Sequence, residues 1–257
     1  MNTKTSSTNL GSNPHRSDDY LQGTKSSAAD ILPLLFSKFD LTSVVDIGCG
    51  YGEWLSVARS TKENLEILGV DGPWICENQL EIPPDKMIQC DFTNSVERSS
   101  LMTSLNGRHF DLALCLEVAE HLPASSAHQL VELLCSLSDL VLFSAAIPYQ
   151  GGWNHVNEQW PTYWAEIFSR RGFLCADILR SEIWNNESIL PHYRQNCLVF
   201  FKEGGGLPAI ENPLSLVHPF NWNLKQQLID ELQQEQQRQL KVSSQLKRLV
   251  KSIFSMP

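Results

Sequence analysis

Val44-Val45-Asp46-Ile47-Gly48-Cys49-Gly50-Tyr51-Gly52 is the stretch from which the rest of the chain is read. A short apolar run feeds a glycine-rich turn, and the residues from Glu53 onward read as a helix. Glycines at this place let backbone approach a ligand closely. A dinucleotide fingerprint would put its third glycine at position 53, but that position is Glu53 and the third glycine is Gly52. A carboxylate there opposes a pyrophosphate. Asp46, just before the turn, suits a ligand with a positive head. Asp46, Gly48, Cys49, Gly50 and Gly52 are therefore candidate ligand-binding residues.

Working outward, apolar runs at 65–70, 86–90, 110–116, 140–146, 173–179 and 196–202 read as further strands. Helical patterns cover 26–39, 53–60, a segment containing His121, 125–137 and 160–171. Alternating strands and helices, with strands apolar throughout, predict an α/β fold: a Rossmann-like, mostly parallel sheet with helices on both faces. Residues 1–23 read as a mobile lead-in, 24–203 as the domain and 204–222 as a linker around Gly204-Gly205-Gly206, Pro208 and Pro213. Residues 223–254 read as a C-terminal helical extension.

Composition narrows the function classes. The chain has 257 residues, 42% hydrophobic and 19% charged, enough to bury a sizeable core. A formal net charge of -9 argues against an unaided nucleic-acid binder. The charge is uneven: residues 236–257 hold five basic groups and no acidic one, leaving 15 basic and 29 acidic groups elsewhere. Seven dispersed cysteines without a CxxC pair predict buried, reduced thiols and a cytoplasmic protein. No run is long and apolar enough to span a membrane.

Two more acids end strands. Asp71, followed by Gly72, lies 19 residues past Gly52, where a carboxylate accepts hydrogen bonds from ribose hydroxyls. Asp91, with Phe92 beside it, closes the third strand and suits an adenine. An amino-acid head, a ribose and an adenine together describe S-adenosylmethionine. Taken with the block Phe110-Asp111-Leu112-Ala113-Leu114-Cys115-Leu116-Glu117-Val118-Ala119-Glu120-His121-Leu122, these features resemble the class I S-adenosylmethionine-dependent methyltransferases over 44–202. The resemblance implies a seven-stranded sheet with an antiparallel last strand. It also implies that the glycine turn holds the methionine part, Asp71 the ribose and Asp91 the adenine, and that Leu116 and Glu117 line the cofactor. Each acid also has a plain structural reading, as a turn or helix cap.

The loop after the fifth strand, Gly151-Gly152-Trp153-Asn154-His155-Val156-Asn157-Glu158-Gln159-Trp160-Pro161, is similar to an element of one bacterial methyltransferase subfamily. His155 is the candidate general base, with Glu158 to orient its imidazole. Trp153, Asn157, Gln159 and His121 are candidate substrate contacts. Glu117 and His121 sit four apart and would share a helical face. Spacing fixes no third ligand, so no metal is expected. The expected activity is O-methylation of a small molecule, sugar or glycan. Methylation of nitrogen or a carboxylate is the alternative, as is a non-catalytic adaptor acting through the tail. On a helical wheel Leu224, Leu228, Leu232, Val242, Leu246, Leu249, Val250 and Ile253 share a face. This makes the tail a candidate for homodimer or partner docking.

Overall fold

A computed structural model describes residues 18–253. Seven strands form one sheet: β1 (Ser43–Ile47), β2 (Glu66–Asp71), β3 (Met87–Gln89), β4 (Leu112–Leu116), β5 (Leu140–Ser144), β6 (Phe173–Ala176) and β7 (Leu198–Lys202), in the order β3-β2-β1-β4-β5-β7-β6. β7 runs antiparallel to both neighbours and the other pairs are parallel. β1 stands in the middle, with Val44 opposite Ile67 on one side and Leu112 on the other. From β1 the chain winds outward to β2 and β3; from β4 it winds the opposite way. The carboxyl ends of β1 and β4 therefore flank the switch point where open α/β sheets bind ligands.

The described residues form eight α-helices: α1 (Asp18–Lys38), α2 (Glu53–Thr61), α3 (Ser95–Ser104), α4 (Ala127–Leu137), α5 (Pro161–Ser169), α6 (Arg180–Ile183), α7 (Pro191–Asn196) and α8 (Pro219–Ile253). Strand side chains alternate between two cores, as a two-residue period requires. Val45, Ile47, Ala113, Cys115 and Phe143 meet α4 and α5 on one face. Val44, Leu112, Leu114 and Leu142 meet α1, α2 and Tyr193 of α7 on the other. Phe168 of α5 and Phe200 of β7 stack with ring centroids 3.9 Å apart, locking helix to sheet.

The chain divides into two units, 1–216 and 217–257. The second consists, among its described residues, mainly of α8. Leu224, Leu228, Leu232, Leu246 and Leu249 along that helix are all exposed.

Several expectations need correction. Residues 18–23 lie inside α1 rather than in a lead-in, while 1–17 fall outside the described residues. Tertiary packing overrides the polar local composition there, since Tyr20 stacks on His192 and Thr24 is buried. The linker is shorter than expected: Ile210 bridges Cys175, and the Leu214 carbonyl accepts from the buried Arg180 side chain at 2.9 Å. α8 begins at Pro219 rather than 223, since proline suits a first helical turn. No helix carries His121; a single 3₁₀ turn, Ala119–His121, takes its place. Glu117 precedes it with φ +56°, so Glu117 and His121 share no helical face.

Candidate active site

The glycine turn after β1 uses left-handed backbone at Gly48, Gly50 and Gly52, with φ of 83°, 57° and 90°. Gly48 is doubly constrained, since a Cβ there would lie 2.3 Å from Val118 Cγ2. The Gly48 and Cys49 amides donate to the Val70 carbonyl at 2.7 and 3.2 Å, stitching the turn to β2. Asp71 completes the link: Oδ2 accepts from the Gly50 amide at 2.8 Å and Oδ1 from the Gly72 amide at 2.6 Å. Burial raises the Asp71 carboxyl, and those two amides pull it back toward the ionised form.

Asp46 has no such help. It is 2% exposed, and no donor among the described residues reaches its carboxylate. Burial, then Asp71 and Glu53 nearby, push it up to about 8. Burial also raises Glu53, which starts α2. Two buried acids, Asp46 and Glu53, and the partly buried Asp71 thus lie close together, and such an arrangement favours a positively charged guest.

They border a cavity of about 370 Å³ at the carboxyl ends of the strands. Of the residues expected to bind ligand, Asp46, Gly48, Cys49, Gly50, Asp71, Phe92, Leu116, Glu117, His121 and Trp153 line it. Gly52 and Gly72 shape it from behind: a Cβ on Gly52 would press Ile82 at 2.9 Å, and one on Gly72 would meet the Trp74 ring at 2.1 Å. Asp91 is not on the wall. Its Oδ1 accepts from the Thr93 amide and hydroxyl at 2.8 and 2.7 Å, so it organises the turn that presents Phe92 and Thr93. Tyr20, Glu53, Trp54, Trp74 and Tyr193 also line the cavity and were not singled out from sequence. Glu53 had a signal, being the acid that breaks the dinucleotide pattern. Tyr20 and Tyr193 had none, because their positions depend on how α1 and α7 pack. Trp54 Nε1 reaches the Tyr193 hydroxyl at 3.4 Å, holding this wall together.

The far side of the cavity is built by loop 148–160. Glu158 gathers the loop: its carboxylate accepts from the Tyr149 amide at 2.7 Å and the Gly151 amide at 2.6 Å, and lies 3.0 Å from His155 Nδ1. The Glu120 carbonyl accepts from the Val156 and Asn157 amides at 2.8 and 3.0 Å, and Gln159 N–H donates to the Ala146 carbonyl at 3.1 Å. The first two bonds clamp the loop onto the 3₁₀ turn after β4, and the third ties it to the segment just past β5. The imidazole of His155 packs edge-on against His121, with centroids 4.9 Å apart. His121 lines the cavity, whereas His155 stands behind it with a side chain only 8% exposed. Gln159 Nε2 donates to Asn157 Oδ1 at 3.0 Å, so those two amides face each other within the loop.

Glu120 is fully buried. Its Oε1 accepts from the Ala146 amide at 3.2 Å, while Oε2 finds no donor among the described residues. Burial, and then Glu117 beside it, raise its carboxyl well above the usual range. Glu117 is held by Asn196 Nδ2 at 3.1 Å and Gln150 Nε2 at 3.3 Å. Its left-handed backbone is a costly conformation for a non-glycine residue. Its amide donates to the Ser144 carbonyl at 3.0 Å, which fixes the end of β4 against β5.

Among solved structures, the chain is similar to an O-methyltransferase family protein from Burkholderia thailandensis (TM-score 0.50, 11% identity), with 75% of this chain and 61% of that chain covered. This chain thus spans less than two thirds of that neighbour. It is also similar to a SAM-dependent methyltransferase from Archaeoglobus fulgidus (TM-score 0.48, 19% identity, 69% and 94% covered). A third is magnesium protoporphyrin IX methyltransferase from Synechocystis, solved with bound SAM (TM-score 0.46, 17% identity, 70% and 80% covered). At these identities the first likeness speaks for the fold alone. No curated protein matches the chain by sequence. The sequence profile of a methyltransferase domain does match, over residues 20–175. That segment is more than half of the chain and carries the glycine turn, Asp71, the β4 block and the His155 loop, so the chain belongs to the methyltransferase-domain family.

Proposed function

We propose that the chain is an S-adenosylmethionine-dependent methyltransferase acting on an oxygen of a small-molecule, sugar or glycan acceptor. The observation that carries the cofactor reading is Asp46, a buried carboxylate without a donor, set between two other acids at the edge of the cavity. S-adenosylmethionine, when bound, supplies a methyl group activated on a sulfonium sulfur. Asp46 and Glu53 would face its positively charged methionine part, and Asp71 would accept from its ribose hydroxyls. Phe92 and Ile75 offer apolar wall to adenine, and Leu116 and Glu117 close the floor.

The oxygen reading rests on the loop. Glu158 beside Nδ1 favours the tautomer that leaves the Nε2 lone pair of His155 unprotonated. We assign activation of the acceptor hydroxyl to that lone pair; acting as a general base is its simplest use. Trp153 and His121 line the acceptor side of the cavity, and Asn157 and Gln159 stiffen the loop that carries them. Methylation of nitrogen or a carboxylate would leave the His155–Glu158 pair without a task. For α8, its exposed leucines support pairing with a second copy or a partner helix. Among the described residues no helix is long and apolar enough to cross a membrane.

Transfer of labelled methyl from S-adenosylmethionine to a panel of hydroxylated acceptors tests the assignment, with His155→Ala alongside. Label appearing on oxygen and at least a hundredfold loss in the variant are expected. Label on nitrogen or a carboxylate, or turnover retained in His155→Ala, contradicts the oxygen reading.

A further inference from the structure

Glu120, His121 and His155 each offer one donor atom, and the three atoms lie within 4.8 Å of one another. We infer that these residues form a site for a divalent first-row transition-metal ion at the acceptor edge of the cavity. The site itself is read from the donor atoms. The use given to the ion rests on the oxygen-acceptor reading above.

Four observations carry the assignment. The first is Glu120 Oε2, an orphaned acceptor on a fully buried residue. A carboxyl oxygen at zero exposure needs a hydrogen-bond partner or a cation, and the neighbouring Glu117 carboxylate can serve only by sharing a proton with it. The second is the His155–Glu158 contact at 3.0 Å. A carboxylate on Nδ1 is the usual way a ligating imidazole is oriented, with Nε2 left for the metal. The third is the clamp. Because the Glu120 carbonyl binds the Val156 and Asn157 amides, the two segments bearing the donors are tied together without the ion. The fourth is Gly152. A Cβ there would lie 2.3 Å from both Cε1 and Nε2 of His155, so this position keeps room for the imidazole only as glycine.

Two donors sharing one ion at about 2.1 Å stand about 3–3.5 Å apart, so side-chain torsions draw the cluster in by an ångström or so on binding. Two imidazoles and one carboxylate favour ions from manganese to zinc over magnesium or calcium, which prefer all-oxygen shells. Three protein donors leave a position open. His121 belongs both to the cluster and to the cavity wall, so the open position adjoins the cavity, where an acceptor oxygen can take it. In this account His155 uses its lone pair through the ion.

The test is uptake of Mn²⁺ by the full chain after chelator treatment, read by electron paramagnetic resonance, with S-adenosylhomocysteine binding followed by calorimetry on the same samples. One Mn²⁺ per chain is expected. Glu120→Gln and His155→Ala should each weaken uptake at least tenfold and leave S-adenosylhomocysteine affinity within about threefold. Chain that binds S-adenosylhomocysteine but takes up no Mn²⁺ overturns the metal site, as does uptake unchanged in both variants. Mn²⁺ uptake that depends on these residues in a chain that does not bind S-adenosylhomocysteine supports the site and removes the methyltransferase reading instead.

Discussion

The two ends of the cavity treat buried carboxylates in opposite ways. At the β1–β2 end, Asp71 is held by two backbone amides, and Asp46 faces the cavity with no donor among the described residues. At the loop end, Glu117 and Glu158 are held by several donors each, and only one oxygen of Glu120 is left over. The first end is open to a charged guest that comes and goes. The second is a scaffold of paired polar groups in which, among the described residues, Glu120 Oε2 and Asn157 Nδ2 are left over.

Asp71→Ala is the harshest probe of the first end, because it removes a cavity carboxylate and the acceptor for Gly50 and Gly72 together. A hydrogen bond to a charged group is typically worth about 1.5–3 kcal/mol. Calorimetry should therefore show S-adenosylhomocysteine affinity falling at least thirtyfold, with Mn²⁺ uptake at the other end largely kept. Equal loss at both ends would mean that they are not separate structures.

Acidity sharpens the contrast next. Asp46 keeps its proton in the folded chain up to about pH 8, against an ordinary value of 3.8. A cationic guest prefers the ionised form, so binding releases a proton below pH 8. Affinity should rise between pH 6 and 8, by up to tenfold per unit, and level off above. Asp46→Asn should be weaker and flat across that range. The sign for folding is the reverse. Between pH 4 and 8 the native state binds the extra proton, so this group's contribution to stability declines as pH rises to about 8. A flat affinity profile in the unaltered chain would remove Asp46 from the binding account.

How far each end was legible in the sequence follows from its construction. The first end is written in short spacing. A strand, three glycines and an acid at the next strand end suffice, because β1 and β2 are adjacent in the sheet and their ends must meet. The same alternation gave a mostly parallel sheet covered on both faces, while the antiparallel last strand was implied only by the family resemblance. The second end joins residues near 120, 150 and 196, and only the folded chain shows that Glu120 reaches under the loop. Reading Glu117 and His121 as one helical face failed because the left-handed turn at Glu117 breaks the period there. Asp91 was misplaced for a related reason: its carboxylate is used locally by Thr93, as short polar side chains in turns often are. α3 went unread because its sequence is polar and only Leu101 is buried.

Gly152→Ala isolates the second end. The loop is exposed at that residue, so fold and S-adenosylhomocysteine affinity should stay within about twofold, while Mn²⁺ uptake and methyl transfer fall about tenfold or more. Loss of S-adenosylhomocysteine binding instead would show that the loop supports both ends. Truncation after Leu216 should do least. The cavity is lined by residues between Tyr20 and Tyr193, so affinity should be unchanged within about twofold, and a larger change would give α8 a part in the site.

Calorimetric titration of the unaltered full chain with S-adenosylhomocysteine tests the central claim most directly. One equivalent bound, with Asp71→Ala abolishing the heat, is the expected result. A folded chain that gives no heat with S-adenosylhomocysteine or S-adenosylmethionine at any pH between 6 and 8.5 would contradict the account.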